Sequence, residues 1–281
     1  MSSQIGQNIS RPTYGNARRL VITAPGWNTV KKTGYLLGSL TLLLACWEAA
    51  SRLSGRALPG PADTLGVFWG LLSDPFYNRG PNDKGVALQL LASLQRVFTG
   101  FLLGAAVAVP LGIAMGAAPV CRNLLDPIVQ ILRPVSPLAW FPIGLAAFQA
   151  AGPATVFIIF ITSLWPTVIN TAFGVASLPK DYRNVAAVFR FSKRKYLTKV
   201  LLPYALPHML TGLRLSMGIA WMVIVAAEML SGGVGIGFFV WDSWNALSVE
   251  RVISAIALIG LVGLGLDRGF QALEKRFRDG R

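Results

Sequence analysis

Four ionisable side chains lie inside long apolar stretches of this 281-residue chain, where an unpaired charge is costly. Arg96 and Glu228 both fall in the outer third of their stretches, which predicts an ion pair between them. Arg133 and Arg214 fall towards the opposite end of their stretches. Asp126 is the one acid that the sequence places near them. Their excess positive charge favours the passage of a small anion. The alternative is a structural role, in which Arg133 extends towards water and Arg214 pairs with backbone carbonyls or Asp126.

Other residue types that commonly carry chemistry are isolated. His208 is the single histidine and has no second ligand at metal spacing, and Cys46 and Cys121 lie in or beside apolar runs. The chain contains no GxxxxGK[ST] sequence, and the glycine-rich stretch 232–237 lacks the lysine of a phosphate-binding loop. We therefore expect that stretch to be a turn or re-entrant loop. The chain is predicted not to be an enzyme and to bind no metal or cofactor itself.

The composition indicates an all-α membrane protein. The chain is 53% hydrophobic and 14% charged, whereas soluble domains carry roughly 25% charged residues. A span needs about 20 apolar residues, and six stretches qualify: 33–52, 88–117, 124–148, 153–176, 205–230 and 251–267. Prolines interrupt the third and fourth stretches, and such breaks often line a cavity rather than face lipid.

Charge placement predicts the orientation in the bilayer. With the N-terminus inside, eighteen of the 26 Lys and Arg residues are cytoplasmic and five lie on the opposite side. This bias places both termini and the loop 180–203 in the cytoplasm of a multi-pass protein of the cell inner membrane. Because the positive charge borders apolar runs, anionic lipid explains the net charge of +14 better than nucleic acid does. We expect a disordered cytoplasmic tail over 1–30, a transmembrane domain over 31–276 and a short cytoplasmic tail over 277–281.

The segment from Asn184 to Pro203 is basic and amphipathic, and it is set between spans. Seven Lys or Arg residues occur between Lys180 and Lys199, with Asp181 the one acid. Apolar residues recur at spacings of three and four, which is typical of helix faces. Such a soluble projection offers a cytoplasmic partner a surface to move, which is more typical of a transporter subunit than of an enzyme.

This segment resembles the cytoplasmic coupling loop of binding-protein-dependent ABC importer permeases, whose pattern is E-A-A, three residues, G, nine residues, I-x-L-P. The matching positions here are Asn184, Val185, Ala186, Arg190, Val200, Leu202 and Pro203. Arginine replaces the glycine, so the turn of the family pattern is in question here, because glycine readily takes a positive φ and arginine does not. Ser192 is predicted to cap the second helix instead.

Further stretches carry the same resemblance. LRPVSPLAWFPIGLAAF (132–148) and LPHMLTGLRLSMGIAWMVIVAAEML (206–230) resemble the permeases that import nitrate, sulfonates and taurine. SDPFYNRGPNDKG (73–85) and GGVGIGFFVWDSWN (232–245) resemble the nitrate, bicarbonate and cyanate permeases in particular. The resemblance extends from about residue 36 to residue 276.

The resemblance implies a type I ABC importer transmembrane domain of about six spans with a cytoplasmic coupling helix. Its partners are expected to be a second copy of the permease, two ATPase subunits that bind ATP and Mg²⁺, an external solute-binding protein and membrane lipid. The expected ATPase-coupling residues are Asn184, Ala186, Val188, Phe189, Arg190, Ser192, Leu202 and Pro203. The expected pathway residues are Arg133, Pro137, Trp140, Arg214 and Trp221.

The expected cargo is nitrate or nitrite, followed by bicarbonate and then cyanate or a sulfonate. The loops 53–87 and 231–250 are expected to dock the binding protein. A secondary carrier driven by ions is the alternative class. It would need intramembrane carboxylates and inverted repeats, and only Glu228 is a candidate carboxylate. A membrane scaffold is a third class, which leaves the proline-broken third span unexplained.

Overall fold

The computed structural model describes residues 25–279, and its regular elements are almost entirely helical. The helices are α1 (Pro25–Leu53), α2 (Pro61–Ser73), α3 (Val86–Ala117), α4 (Pro119–Leu132), α5 (Phe141–Phe148), α6 (Ala151–Ala176), α7 (Lys180–Val188), α8 (Lys193–Tyr196), α9 (Leu202–Ser231), α10 (Ile236–Asn245) and α11 (Val249–Asp279). A 3₁₀ turn, Pro137–Trp140, precedes α5, and a π-helical turn, Leu197–Leu201, precedes α9.

Within this described region, five helices are long and apolar enough to cross a membrane, and a sixth span results if α4 and α5 are counted together. The expected all-α class and span number are confirmed. Two predicted boundaries need correction. Helix α1 already begins at Pro25, within the expected tail 1–30, and α11 continues to Asp279, past residue 276. Hydropathy misses such extensions because a helix continues into polar sequence outside the bilayer. Residues 1–24 of the expected tail lie outside the described region.

The core consists of α3, α6 and α9 packed side by side. Along α3, Gly100, Gly104, Gly112 and Gly116 face α6 so closely that a Cβ atom at any of them would overlap α6 atoms. The two GxxxG pairs therefore bring two helices of the same chain together, as small residues do within membranes. Between α6 and α9, Thr167 and Ser216 share a buried hydrogen bond of 2.7 Å.

The third predicted span is broken. Helices α4 and α5 are bent by 94° relative to one another across the short break between Leu132 and Pro137. Pro137 starts the 3₁₀ turn and Pro142 lies in the first turn of α5. A proline lacks a backbone N–H and is tolerated at a helix start. Pro137 and Pro142 therefore mark the starts of the 3₁₀ turn and of α5.

Candidate transport site and coupling loop

The loop 180–203 folds as two short helices joined by a tight turn. Arg190 occupies this turn with φ +46°, so it adopts the left-handed conformation despite its side chain. The backbone N–H groups of Arg190 and Phe191 close the turn by donating to the carbonyls of Ala187 and Ala186. Arg190 therefore adopts the positive φ that glycine takes readily at this position of the family pattern. Local hydrogen bonds offset the cost of this conformation, which is of order 1–3 kcal/mol.

Ser192 caps helix α8 as predicted. Its hydroxyl oxygen accepts a hydrogen bond from the backbone N–H of Lys195 at 3.3 Å. Helix α8 then continues through the π-helical turn into α9, and Leu202 and Pro203 lie in the first turn of α9. The loop is thus joined without a break to a helix long enough to span the membrane.

One face of the loop is apolar and exposed. Val188 and Phe189 are 78% and 70% exposed, whereas Ala186 is 5% exposed. Asn184 lies on the exposed surface of α7. Buried Leu178, Leu201 and Ala205 pack at the base of the loop and hold it against α6 and α9. The geometry offers a protein partner a firm apolar projection.

Arg96 and Glu228 form the ion pair that their depths predicted. Arg96 Nη1 lies 2.7 Å from Glu228 Oε1. The Glu228 carboxylate is fully buried and also accepts hydrogen bonds from Ser93 Oγ at 2.7 Å and from the Gly237 N–H at 3.0 Å. Each carboxylate oxygen thus has a donor, as a buried charge requires.

Arg214 has an acidic partner that the sequence argument missed. Its Nε and Nη2 donate to the two oxygens of Asp267 on α11 at 2.7 and 3.1 Å, and Glu274 Oε2 lies 3.8 Å from Nη1. The expectation that Asp126 is the nearby acid is corrected. Asp267 ends the last predicted span on the same cytoplasmic side as Arg214, and this shared side was the signal that could have revealed the pair.

The two arginines therefore differ in their surroundings. Arg133 is exposed at the end of α4, and among the described residues no Asp or Glu oxygen lies within 4.0 Å of its guanidinium. Arg214, in contrast, is partly neutralised and borders a cavity of about 570 Å³ between α9 and α11. The local excess of positive charge at this depth resides at Arg133.

The two tryptophans among the predicted pathway residues also differ in their surroundings. Trp221 is 4% exposed, and its indole N–H donates to the Ile259 carbonyl of α11 at 3.0 Å. Trp221 also borders the cavity beside Arg214, and its place in the pathway stays a prediction. Trp140 and Pro137 lie in the turn before α5, and among the described residues the buried indole N–H of Trp140 has no hydrogen-bond partner.

The end of the molecule opposite the coupling loop carries a polar cleft. A cavity of about 260 Å³ lies between the segment around Tyr77, the start of α11 at Arg251 and helix α10, with Asp83 and Lys84 on its rim. Partial burial raises the pKa of the Tyr77 phenol, and the Asp83 carboxylate raises it further. Within the described residues, no cluster of His, Cys, Asp and Glu could hold a metal ion.

Residues 108–279 match the family described as "Binding-protein-dependent transport system inner membrane component". The chain belongs to this family. The permease is therefore a multi-pass inner-membrane subunit of an ABC importer, a class that operates with ATPase and binding-protein partners.

The permease has close relatives among characterised transporters. It is 46% identical to the nitrate import permease protein NrtB of Synechocystis sp. over 84% of this chain and 86% of the relative. It is 48% identical to the bicarbonate transport system permease protein CmpB of Synechococcus elongatus over 85% and 87%. The taurine transport system permease protein TauC of Escherichia coli is 31% identical over 89% and 90%.

Solved structures support the fold of the permease. The inward-facing MetNI methionine ABC transporter matches with a TM-score of 0.53 and 15% identity, over 66% of this chain and 95% of that chain. An amino acid ABC transporter crystallised with histidines matches with a TM-score of 0.56, over 67% and 92%. The predicted type I importer architecture is confirmed.

Proposed function

We propose that the permease forms the pathway by which nitrate or nitrite is imported at the expense of ATP hydrolysed by separate subunits. The observation that carries this proposal is the identity of 45–49% to three nitrate import permeases over more than four-fifths of the chain. The exposed guanidinium of Arg133 supports it, because a cation near the pathway favours a small anion.

Bicarbonate is the second candidate cargo. Bicarbonate permeases are 46–48% identical to this chain, a range that overlaps that of the nitrate permeases. Both anions are small, planar and singly charged, so one cationic pathway can serve either. Selection between them is then expected to reside mainly in the separate binding protein.

In the proposed assembly two copies of the permease pair in the membrane, with both termini and the coupling loops in the cytoplasm. One ATPase subunit binds each loop through Val188 and Phe189, and the binding protein docks on the opposite surface, which includes α2 and α10. ATP binding closes the ATPase pair and draws the two loops together, which opens the pathway outward. The loaded binding protein and ATP thus favour the same state, and each strengthens the effect of the other.

The test is ATP hydrolysis by the complete complex, reconstituted in lipid vesicles with its binding protein and titrated separately with nitrate and bicarbonate. We expect nitrate to stimulate hydrolysis and to accumulate in the vesicles. Omission of the ATPase subunits should abolish uptake, whereas a secondary carrier would retain it. Stimulation by bicarbonate alone would contradict the proposed cargo and leave the mechanism in place.

A further inference from the structure

Polar side chains from two helices hold the glycine loop, Gly232–Gly237, that joins α9 to α10. On α9, the Glu228 carboxylate contacts the α3 residues Arg96 and Ser93 and also the backbone N–H of Gly237 at the start of α10. One fully buried carboxylate therefore ties together three helices.

Helix α3 completes this attachment through the backbone of the loop. Gln89 Oε1 accepts a hydrogen bond from the Gly235 N–H at 2.6 Å, and Ser93 Oγ accepts one from the Ile236 N–H at 2.8 Å. Arg96 donates to the Val234 carbonyl at 2.5 Å. The three α3 side chains are spaced at i, i+4 and i+7, which places them on one helix face.

The glycine loop lies directly against the carboxylate. Gly235 has φ +157°, and a Cβ atom at this position would overlap the Glu228 carboxylate. A Cβ atom at Gly237 would overlap the backbone carbonyl of Val225. The absence of side chains in the loop is thus what allows its N–H groups to reach the buried acceptors.

The glycine loop joins α10, at one end of the molecule, to α9, which leads to the coupling loop at the opposite end. Beyond it, α10 buries Ile236 and Phe239 and presents Trp241 and Trp244 at the surface. In the other direction, the continuous helical segment Lys193–Ser231 has 39 residues and leads from the coupling loop to Glu228. At 1.5 Å per residue this segment extends about 58 Å.

We propose that Arg96 and Glu228 are positioning residues that fix α10 to α9 and thereby transmit movement of the coupling loop to the outer docking surface. A buried ion pair with this many partners is costly to break in part, so α9, α10 and the glycine loop are expected to move together. Hydrogen-bond networks and rigid helices are among the elements that carry coupling between distant sites. This inference rests on the proposed ATP-driven import cycle.

The first test uses Glu228→Gln in the complete reconstituted complex, which removes the charge and nearly preserves the shape. Basal ATP hydrolysis should be unchanged, while its stimulation by the loaded binding protein should fall by about fivefold or more. Glu48→Gln is the matched control, because Glu48 also pairs with an arginine at 2.7 Å, Arg52, but at an exposed site. It should leave stimulation intact. Arg96→Lys, which keeps the cation, should retain more stimulation than Arg96→Gln.

Full stimulation of an assembled Glu228→Gln complex would overturn the inference. The comparison uses whichever of the two anions stimulates the wild type, so a failure of nitrate bears on the proposed cargo alone. If Glu228→Gln does not assemble, Ser93→Ala decides the matter. It leaves both charges in place and removes the hydrogen bonds of Ser93 to Glu228 and Ile236.

A second measurement reports on α10 directly. A nitroxide label is attached at Asn245→Cys in a chain with Cys46→Ser and Cys121→Ser, and a parallel chain carries the label at Leu72→Cys on α2. Glu228→Gln and Ser93→Ala should both increase label mobility on α10 and leave the α2 label unchanged. Equal mobilisation of both labels, or none on α10, would overturn the positioning role.

Discussion

Arg190 shows how a single residue can depart from a family pattern without changing the local geometry. The turn between α7 and α8 requires a positive φ, and Arg190 adopts φ +46° at the position where the family pattern has glycine. The side chain is exposed and therefore meets no steric obstacle outside its own backbone. The hydrogen bonds of the turn, rather than the residue type, determine its conformation.

The positive φ at Arg190 predicts that one substitution is tolerated there and another is harmful. Arg190→Gly should preserve ATPase binding and change stability by no more than about 1 kcal/mol, since glycine accepts the conformation at no steric cost. Arg190→Val should weaken ATPase binding and lower stability by roughly 1–3 kcal/mol, because a β-branched residue is strained at positive φ. The measurements are co-purification of the ATPase and thermal unfolding in detergent. Equal behaviour of the two variants would show that the turn is not maintained in the complex.

At the scale of elements, the coupling loop is a short projection on a rigid base. Helix α7 buries Ala186 against the base, and Val188 and Phe189 at its end are exposed. Helix α8 is capped by Ser192 and runs into α9. Exposed apolar residues on a projection of this kind are typical of a protein interface.

Substitution of Val188 and Phe189 by Asp should release the ATPase from the purified complex while the permease stays in the membrane. Two charges in the apolar contact would lose their hydration without gaining partners. Val120→Asp is a suitable control, because Val120 is also 78% exposed but lies at the start of α4 rather than on the loop. Retained co-purification of the ATPase with the double variant would count against the docking role.

At the scale of the whole molecule, the distribution of charge distinguishes the two inner arginines. Arg214 holds α11 against α9 through Asp267, whereas Arg133 faces the surface without an acidic partner among the described residues. A pathway role stays a prediction for both residues. Arg133 is the first to test, because Arg214 shares its charge with Asp267.

Arg133→Gln should therefore lower anion uptake by the assembled complex, by about tenfold at low salt and less at high salt, as expected for electrostatic steering. Arg214→Gln should also lower uptake, because it leaves the Asp267 carboxylate unpaired. Adding Asp267→Asn restores the net charge and should recover most of the uptake. Uptake by Arg133→Gln equal to that of the wild type at every salt concentration would contradict the pathway role.

The sequence alone determined the class of the molecule, the positions of the spans and a basic amphipathic segment between two of them. These features depend on hydropathy, helix periodicity and charge bias, which are local properties of the chain. The name coupling loop for that segment comes from its resemblance to the family pattern. The Arg96–Glu228 pair was also within reach of the sequence, because both residues lie in the outer third of their spans. Ser192 could be recognised as a cap from its position before a helical segment.

Only the tertiary structure decided which helix each of these residues contacts. The partner of Arg214, the contact of Trp221 with α11 and the seating of the glycine loop depend on which faces of α3, α9 and α11 meet. The GxxxG spacing on α3 is typical of close helix packing, but only the structure shows that α6 is the helix packed against it. Span order and depth leave the rotation of each helix about its axis open, and packing across the whole chain sets that rotation.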